Sequence, residues 1–223
     1  MERWPFFDLR VRTPKLELRL PTDDDLGELF ELVRRGIHDP NVMPFLVSWT
    51  DHLDEPDALH RYCQYHWQGR AGISPERFSL DLVVAVDGDV VGMQSLRAVD
   101  FALVRVVITG SWLGRAHQGK GLGSEMRAAI LHLAFDGLDA RCATTEAFDD
   151  NPASKRVTEK LGYVENGQEW LRARDVVMLS HNYRLEREDW EPRRRADIEI
   201  SGLEACLPLL GLLPERGCPP ESA

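Results

Sequence analysis

Residues 112–125 of the chain read WLGRAHQGKGLGSE, and this stretch decides the fold that the sequence predicts. The β-branched run Val104–Thr109 comes just before it and is typical of a strand. Just after it, apolar residues recur at the spacing of one helix face. They are Leu122, Met126, Ala129, Ile130 and Leu133. The sequence therefore predicts a glycine-rich turn that joins a strand to a helix.

The glycines of this turn suit a bound phosphate. Gly119, Gly121 and Gly123 carry no Cβ, so the backbone can turn tightly and approach a ligand closely. The free N–H groups of the first helical turn point at one spot, where the positive end of the helix dipole favours an anion. Arg115 and Lys120 add positive charge nearby. The pattern predicts a phosphate site, with a glycine-rich turn that binds nothing as the alternative.

The spacing of the glycines argues against a nucleotide hydrolase or a dehydrogenase. A dinucleotide-binding turn needs G-x-G-x-x-G/A, and a Walker A loop needs G-K-S/T at its end. The chain has neither, because Gly121 follows Lys120. The row Gln118–Gly123, QGKGLG, instead fits Q/R-x-x-G-x-G/A. It resembles the pyrophosphate loop of the GNAT superfamily of acyl-CoA-dependent N-acyltransferases.

The resemblance implies an α+β fold. In the GNAT fold a central mixed, mostly antiparallel twisted sheet is flanked by helices. A V-shaped splay separates the strand before the phosphate loop from the next strand, and unpaired backbone there binds the pantetheine arm of CoA. The resemblance puts that role on residues 108–113, where a backbone N–H would face the thioester oxygen. We assign the GNAT domain to residues 1–192 and a C-terminal extension to residues 193–223.

Residues 150–163, DNPASKRVTEKLGY, form a second motif. Asn151 is a good helix N-cap, Pro152 suits the first helical position and Gly162 suits the position after the helix. The row resembles the N-x-x-S…L-G-Y/F segment of GNAT enzymes close to the ribosomal-protein N-terminal acetyltransferases. There the serine is the general acid for the CoA thiolate and the asparagine helps to hold the pantetheine, which implies these roles for Ser154 and Asn151. The alternative is that Asn151 only caps the helix and Ser154 is only its neighbour.

The two motifs give the predicted acyl-CoA-binding set. It consists of Trp112, Leu113, Arg115, Gln118, Gly119, Lys120, Gly121, Leu122, Gly123, Ser124, Asn151 and Ser154. Acetyl-CoA is the default co-substrate of the family, and succinyl-CoA stays open if an Arg or Lys side chain reaches the acyl pocket. The chain has no H-E-x-x-H or C-x-x-C pattern, so no metal site is predicted.

The general base departs from the family pattern. Many relatives carry a Glu in the strand before the phosphate loop, in E-I/L-G-Y-W-L. Residues 108–113 read ITGSWL, so Ile108 stands at the position of that Glu and Ser111 at the position of the Tyr. Glu146, on the next predicted strand, is the first candidate for the base. Asp149, Asp100 and His117 follow, and for each the alternative is a solvated or ion-paired surface group.

The segment between the first and second long strands is the candidate acceptor region. Residues 37–55 are rich in prolines and aromatics without a period, which predicts an ordered loop, and residues 57–71 predict a helix. In GNAT relatives this segment lies over the acceptor site. Trp49, Tyr62 and Trp67 are therefore candidates for acceptor recognition, and simple packing is the equal alternative.

The remaining pattern predicts further strands and one more helix. Strands are predicted over residues 15–20, 78–86, 89–96, 140–147, 163–170 and 175–185, and Thr22 is predicted to cap a helix. In the C-terminal extension, Ser201–Glu204 resembles a capping box, and Leu203, Cys206, Leu207 and Leu210 recur at helical spacing. This predicts a terminal helix that docks on its own domain or on a second copy, with Pro208 limiting its length.

Composition restricts the class of partner and the compartment. The 223-residue chain has a net charge of −10, so it is a poor candidate for nucleic-acid binding, and an amine-bearing substrate is compatible. No apolar run reaches the roughly 18 to 20 residues that span a bilayer. No signal peptide is visible, and Cys63, Cys142, Cys206 and Cys218 are scattered. We therefore expect reduced cysteines and a cytoplasmic protein without a membrane partner.

These patterns together predict an acyl-CoA-dependent N-acyltransferase. It would move an acetyl group, with succinyl open, from CoA to a primary amine by direct attack in a ternary complex. Such a reaction needs a site that holds CoA and polarises the thioester carbonyl. It also needs a neutral amine and a group that reprotonates the leaving sulfur. A small amine, a protein N-terminus or a lysine could be the acceptor, and a homodimer is an option. The alternative is a catalytically silent acyl-CoA-binding regulatory module, which the missing Glu at Ile108 favours.

Overall fold

The computed structural model describes residues 4–212 and contains nine strands and six α-helices in that range. The strands are β1 (Arg10–Arg12), β2 (Glu17–Arg19), β3 (Arg77–Val86), β4 (Asp89–Val99), β5 (Val106–Leu113), β6 (Cys142–Phe148), β7 (Val164–Ala173), β8 (Val176–Glu186) and β9 (Glu199–Ser201). The helices are α1 (Asp23–Arg34), α2 (Ala58–Ala71), α3 (Phe101–Val104), α4 (Leu122–His132), α5 (Pro152–Lys160) and α6 (Arg187–Trp190). A π-helical turn, Leu133–Gly137, continues α4.

All nine strands form one sheet in the order β7-β8-β6-β5-β4-β3-β2-β1-β9. β5 and β6 run parallel, and every other neighbouring pair in the described sheet is antiparallel. This confirms the predicted mixed, mostly antiparallel α+β fold. The β3–β4 hairpin turns at Asp87 and Gly88, whose φ angles of 52° and 93° are those of the turn that the Asp-Gly pair favours.

Helices cover both faces of the sheet. Leu82 and Leu96 pack with Ile130 of α4 in the main core, whereas Val83 and Leu29 of α1 belong to a second cluster. Because successive strand residues point to opposite faces, α4 lies on one face and α1 on the other, where Tyr62 of α2 joins it. Among residues 4–212, no helix has the length and apolar character needed to cross a membrane.

The predicted splay lies between β5 and β6. Their ladder pairs only Val106–Ile108 with 142–144, although β5 continues to Leu113 and β6 to Phe148. Beyond Ile108 the β5 backbone pairs with β4 alone. We call the space between residues 109–113 of β5 and residues 145–148 of β6 the β5–β6 gap. Its narrow end is at Thr109, and its open end is at the glycine-rich loop.

The start of α1 has the predicted cap. The Thr22 hydroxyl accepts from the backbone N–H of Asp25 at 3.2 Å, and Asp25 accepts from the backbone N–H of Thr22 at 2.6 Å. Arg19 also donates to the Asp25 carboxylate at 2.6 Å. Burial alone would raise the pKa of Asp25, but the hydrogen bonds from Arg19 and Thr22 outweigh it and lower the pKa to about 2. The capping box thus joins α1 to the end of β2.

The C-terminal extension differs from its prediction. Residues 199–201 form β9, which pairs with β1, so Ser201 ends a strand and does not cap an α-helix. Only a short 3₁₀ helix, Leu207–Leu210, follows, because Pro208 lacks an N–H and the chain turns at Gly211 with φ of 72°. The predicted α-helix is therefore wrong. Its apolar side chains are nevertheless buried in the core of the same sheet. Cys218 lies outside the described residues.

Candidate active site

The glycine-rich loop lies between the end of β5 and the start of α4. A 3₁₀ turn, Arg115–His117, follows β5, and the chain reaches α4 through Gly119 and Gly121. Both glycines have positive φ, 73° and 81°, and a Cβ built on either would meet no atom within 4 Å. The left-handed backbone explains why glycine occupies both positions, and the open space beside them leaves room for a ligand.

The first turn of α4 has the properties of an anion site. Gly121 is the N-cap, so no side chain caps the N–H groups of residues 122–124. The side chains of Arg115 and Lys120 are exposed on the same loop. Uncapped N–H groups, the helix dipole and the adjacent Lys120 suit a pyrophosphate, whereas the Arg115 side chain lines a groove beside α1. The residues present therefore fit the phosphate end of CoA.

Gln118 holds the loop to the rest of the fold. Its side-chain amide donates to the carbonyl of Ile37 at 2.7 Å and to the carbonyl of Leu113 at 2.8 Å. The amide thereby ties the loop to the end of β5 and to the segment after α1. Because these two bonds occupy the amide N–H groups, the Gln118 side chain shapes the loop, and its backbone is the part left for an anion.

Other residues of the predicted cofactor set contribute packing. Leu113 and Leu122 are buried in the main core below the loop. Trp112 is half-buried on the face that carries α1, where its ring lies 6.2 Å from that of Trp49. Ser124 is half-buried in the first turn of α4. In the described structure these side chains pack against the core and against α1 and so fix the position of the loop.

Buried hydroxyl groups surround the narrow end of the β5–β6 gap. Thr145 Oγ1 donates to the carbonyl of Thr109 at 2.9 Å, just where the backbone ladder stops. The Thr109 hydroxyl lies 3.2 Å from the hydroxyl of Tyr163, which is the tyrosine of the second motif. Side chains therefore take over the cross-strand contact from the backbone at this point. The backbone of residues 110–113 beyond it has no partner on the β6 side.

The sequence reasoning missed Arg127, which also lies at this gap. Its side chain is buried on α4, and its guanidinium donates to the hydroxyls of Thr145 and Ser111. A signal was present, because residue 127 has helical spacing from the buried Ile130, Leu131 and Ala134. The apolar stripe alone gave no reason to include an arginine.

The second motif caps α5 as predicted. Asn151 Oδ1 accepts from the backbone N–H of Ser154 at 3.1 Å, and Pro152 is the first helical residue. The Ser154 hydroxyl makes no hydrogen bond to any residue between 4 and 212, so it is free to meet a ligand. A Cβ built on Gly123 would lie 3.6 Å from Val157, so the first turn of α4 packs against α5.

Glu146 lies across the gap from the position of the missing family glutamate. Ile108 pairs with Thr144, and Glu146 is two residues further along β6 on the same face. The Glu146 side chain opens to solvent. Surrounding protein atoms nevertheless raise the pKa of its carboxyl, Glu169 adds to the rise and Arg97 opposes it. A carboxylate of this kind is a stronger base than an ordinary glutamate.

The other candidate bases have different surroundings. The Asp149 carboxylate contacts Lys155 at 2.7 Å and His181 at 3.0 Å, and these hydrogen bonds lower its pKa. Asp100 caps α3, at the end of β5 opposite to the glycine-rich loop, so the fold does not bring it to the gap. His117 lines a groove beside α1. Glu146 is thus the candidate whose position and pKa both suit a base.

An aromatic cluster covers the face that carries Glu146. Trp49 lies within 6.2 Å of the rings of Phe45, Tyr62 and Trp112, and Tyr62 lies 4.7 Å from His66. These side chains come from the 37–55 segment, α2 and β5, and their mutual packing is compatible with either a structural role or acceptor recognition. Trp67 differs, because its indole N–H donates to Asp23 at the start of α1. Its role in the described fold is therefore to join α2 to α1.

Comparison with known sequences gives one family and several relatives. Residues 15–164 match the family described as "Acetyltransferase (GNAT) domain". A protein of Bacillus subtilis (strain 168) named as a ribosomal N-acetyltransferase, YdaF, is 29% identical over 111 residues, which are 47% of this chain and 58% of that protein. The ribosomal-protein-serine acetyltransferase of Escherichia coli (strain K12) is 19% identical over 68% of this chain and 80% of its own length.

Solved structures show the same fold. Mycobacterium smegmatis RimJ, in complex with CoA-disulfide, has a TM-score of 0.67 at 18% identity, covering 84% of this chain and 91% of that chain. The microcin C7 self-immunity acetyltransferase MccE, in complex with acetyl-CoA and AMP, has a TM-score of 0.62 at 16% identity, covering 78% of this chain and 93% of that chain. At these identities the likeness concerns the fold alone.

Proposed function

Because the chain belongs to the acetyltransferase (GNAT) family, we propose that it transfers an acyl group from CoA to a primary amine by direct attack in a ternary complex. The observation that carries the proposal is the continuity of two features. The uncapped N-terminus of α4 directly follows the strand whose backbone, beyond Ile108, has no β6 partner. An anion at the helix and an extended arm along the strand would therefore be parts of one ligand.

Backbone groups would bind most of this ligand. The N–H groups of residues 122–124 would hold the pyrophosphate, with Lys120 at the rim. The pantetheine arm would lie along residues 109–113 and complete the strand edge that β6 leaves open. The thioester would then reach the narrow end of the gap, beside Thr109. A backbone N–H there would polarise the carbonyl.

Two side chains would move the protons. The amine forms a C–N bond to the thioester carbon and loses a proton, while the C–S bond breaks and the sulfur takes up a proton. Glu146, with its raised pKa, would accept the proton of the amine. The free hydroxyl of Ser154, near the positive end of the α5 dipole, would protonate the leaving sulfur.

The acceptor that we propose is the α-amine of a ribosomal protein, met in the cytoplasm. Two relatives carry names of ribosomal-protein acetyltransferases. An α-amine has a pKa near 8, so part of it is already neutral at cellular pH, whereas a lysine amine near 10.4 needs more help. The net charge of −10 also favours approach of a basic protein.

Release of the CoA thiol from acetyl-CoA tests this function. The acceptor is a basic peptide that begins with serine and contains lysine, and the matched control is the same peptide with a blocked α-amine. We expect CoA release with the free peptide and none with the blocked one. CoA release with the blocked peptide would show that the acceptor is the lysine side-chain amine and not the α-amine. Tight CoA binding without turnover of either acetyl-CoA or succinyl-CoA on either peptide or on a panel of small amines would leave a binding module.

A further inference from the structure

Arg127 places a buried positive charge across the β5–β6 gap. Its side chain is 4% exposed and comes from α4, below the gap. The guanidinium donates from Nη1 to the hydroxyl of Thr145 on β6 at 3.2 Å and from Nη2 to the hydroxyl of Ser111 on β5 at 3.1 Å. These two strands have already separated at this level. The guanidinium therefore spans the opening through which an acyl-CoA would reach the reaction centre.

No carboxylate between residues 4 and 212 pairs with this guanidinium. Other partly buried arginines have acids, such as Arg195 with Glu125 at 2.8 Å and Arg19 with Asp25. Arg127 Nε is buried without a hydrogen-bond partner in the same part of the chain. Arginine stays charged in proteins, and a buried charge without a counterion is strongly unfavourable. The polar neighbours of this guanidinium are the hydroxyls of Thr145, Ser111 and Tyr163, so its charge is available to an anionic group of a ligand.

The phosphates of a bound CoA would not supply that anion. The pyrophosphate site is at residues 122–124, and Arg127 lies about 5–8 Å further along the helix axis at 1.5 Å per residue. The thioester, which carries no charge, is the part of the ligand that would reach the narrow end of the gap. The remaining source of negative charge is the acyl group itself. This step rests on the CoA placement of the proposed function.

We propose that Arg127 binds a carboxylate at the far end of the acyl group, so that the donor is the CoA thioester of a dicarboxylic acid, of the succinyl class. Guanidinium and carboxylate match in shape and charge. The Ser111 hydroxyl accepts from Arg127 and donates to no residue between 4 and 212, so its proton is available to the same carboxylate. The bonds made and broken are those of acetyl transfer. The product amide carries the carboxylate, so the acceptor changes from a cation to an anion.

Binding of matched thioesters tests the inference without need of turnover. Isothermal titration calorimetry of the full chain compares succinyl-CoA with butyryl-CoA, which has the same number of acyl carbons and a methyl group in place of the carboxylate, and with acetyl-CoA and free CoA. We expect succinyl-CoA to bind about tenfold or more tightly than butyryl-CoA. Arg127→Gln should abolish that preference and leave free-CoA affinity within about threefold of wild type.

Further variants separate recognition from folding. Arg127→Lys keeps a charge without the planar fork and should keep part of the preference. Ser111→Ala should weaken succinyl-CoA binding without changing butyryl-CoA binding. Arg12→Gln is the control, because this exposed arginine on β1 pairs with Glu17 at the far side of the sheet and its loss should change nothing.

Three outcomes would overturn the inference. Equal affinity of the wild type for succinyl-CoA and butyryl-CoA excludes a carboxylate site. If a folded Arg127→Gln variant loses affinity equally for all four ligands, and Ser111→Ala binds them as the wild type does, the role of Arg127 is structural alone. If Arg127→Gln lowers the rate of acetyl transfer and the wild type shows no preference for succinyl-CoA, Arg127 is a group that stabilises the transition state. If the wild type binds no CoA compound, the proposed function fails as well, whereas succinyl preference without turnover refutes only the transfer reaction.

Discussion

Thr145 on β6 donates a hydrogen bond to the carbonyl of Thr109 on β5, at 2.9 Å, across the point where the two strands stop sharing a backbone ladder. A side chain here replaces the peptide N–H that a continuous sheet would supply. The strands thus stay joined at one end and separate at the other, and the β5 backbone beyond Thr109 pairs with β4 but has no partner on β6. This arrangement fixes the width of the narrow end of the gap, where the proposed function places the thioester.

Gly121→Asp should weaken CoA binding by about tenfold or more, because it sets a carboxylate beside the phosphates at the uncapped end of α4. Calorimetry with free CoA measures the effect. Gly167→Asp is the matched control, since Gly167 also has positive φ and open space around a built Cβ but lies on β7. Equal affinities of the two variants would show that the phosphates bind elsewhere.

Ser154→Ala should lower kcat by about 100-fold while CoA affinity stays the same, because it removes only the proton donor for the sulfur. The melting temperature should not change, since Ser154 contributes to the helix cap through its backbone N–H. Asn151→Ala is the comparison variant. It removes the acceptor of that cap and should cost about 1 kcal/mol of unfolding free energy. A wild-type rate for Ser154→Ala would remove its assigned role.

The pH dependence of kcat/KM should reveal Glu146 as the base. The active form is the carboxylate, so the rate should fall as the pH drops through a pKa that surrounding protein atoms and Glu169 raise above the ordinary value for glutamate. Glu146→Gln should lose this limb of the profile. Glu169→Gln should shift the limb to lower pH, because Glu169 contributes to the raised pKa of Glu146. A profile that neither substitution alters would contradict the assignment.

The parts of the fold that the sequence predicted are those set by local chemistry. The tight turn at Gly121, the Thr22–Asp25 cap and the Asn151 cap each depend on residues within a few positions of one another. β9 could not be predicted, because three residues carry no period and their pairing with β1 is set by the rest of the fold. Arg127 was not predicted as a site residue for a similar reason. Its burial becomes meaningful only once β5 and β6 separate above it.

Acid should destabilise the protein partly through Asp25. Its folded-state pKa of about 2 is below an unfolded value of about 3.9, so its stabilisation is present above about pH 4 and is lost as the pH falls through 2. Asp25→Asn should therefore lower the unfolding free energy at pH 6 by about 2 kcal/mol and reduce its loss in acid. Urea titrations at several pH values measure both. Asp24→Asn, an exposed neighbour in the same helical turn, should behave like wild type.

Gly202→Ala should lower the free energy of unfolding by more than the strain of a left-handed backbone alone explains. Gly202 follows β9 with φ of 73°, and a Cβ there would clash with the carbonyl oxygen of Asp8. Gly88→Ala is the matched control, because Gly88 also has positive φ but a Cβ on it meets nothing within 4 Å. Both variants should lose about 1 kcal/mol to the left-handed backbone, and Gly202→Ala about 2 kcal/mol more to the clash. Equal urea midpoints for the two variants would mean that β9 detaches from β1 at little cost, and the C-terminal extension would then be an appendage of the sheet and not a part of its core.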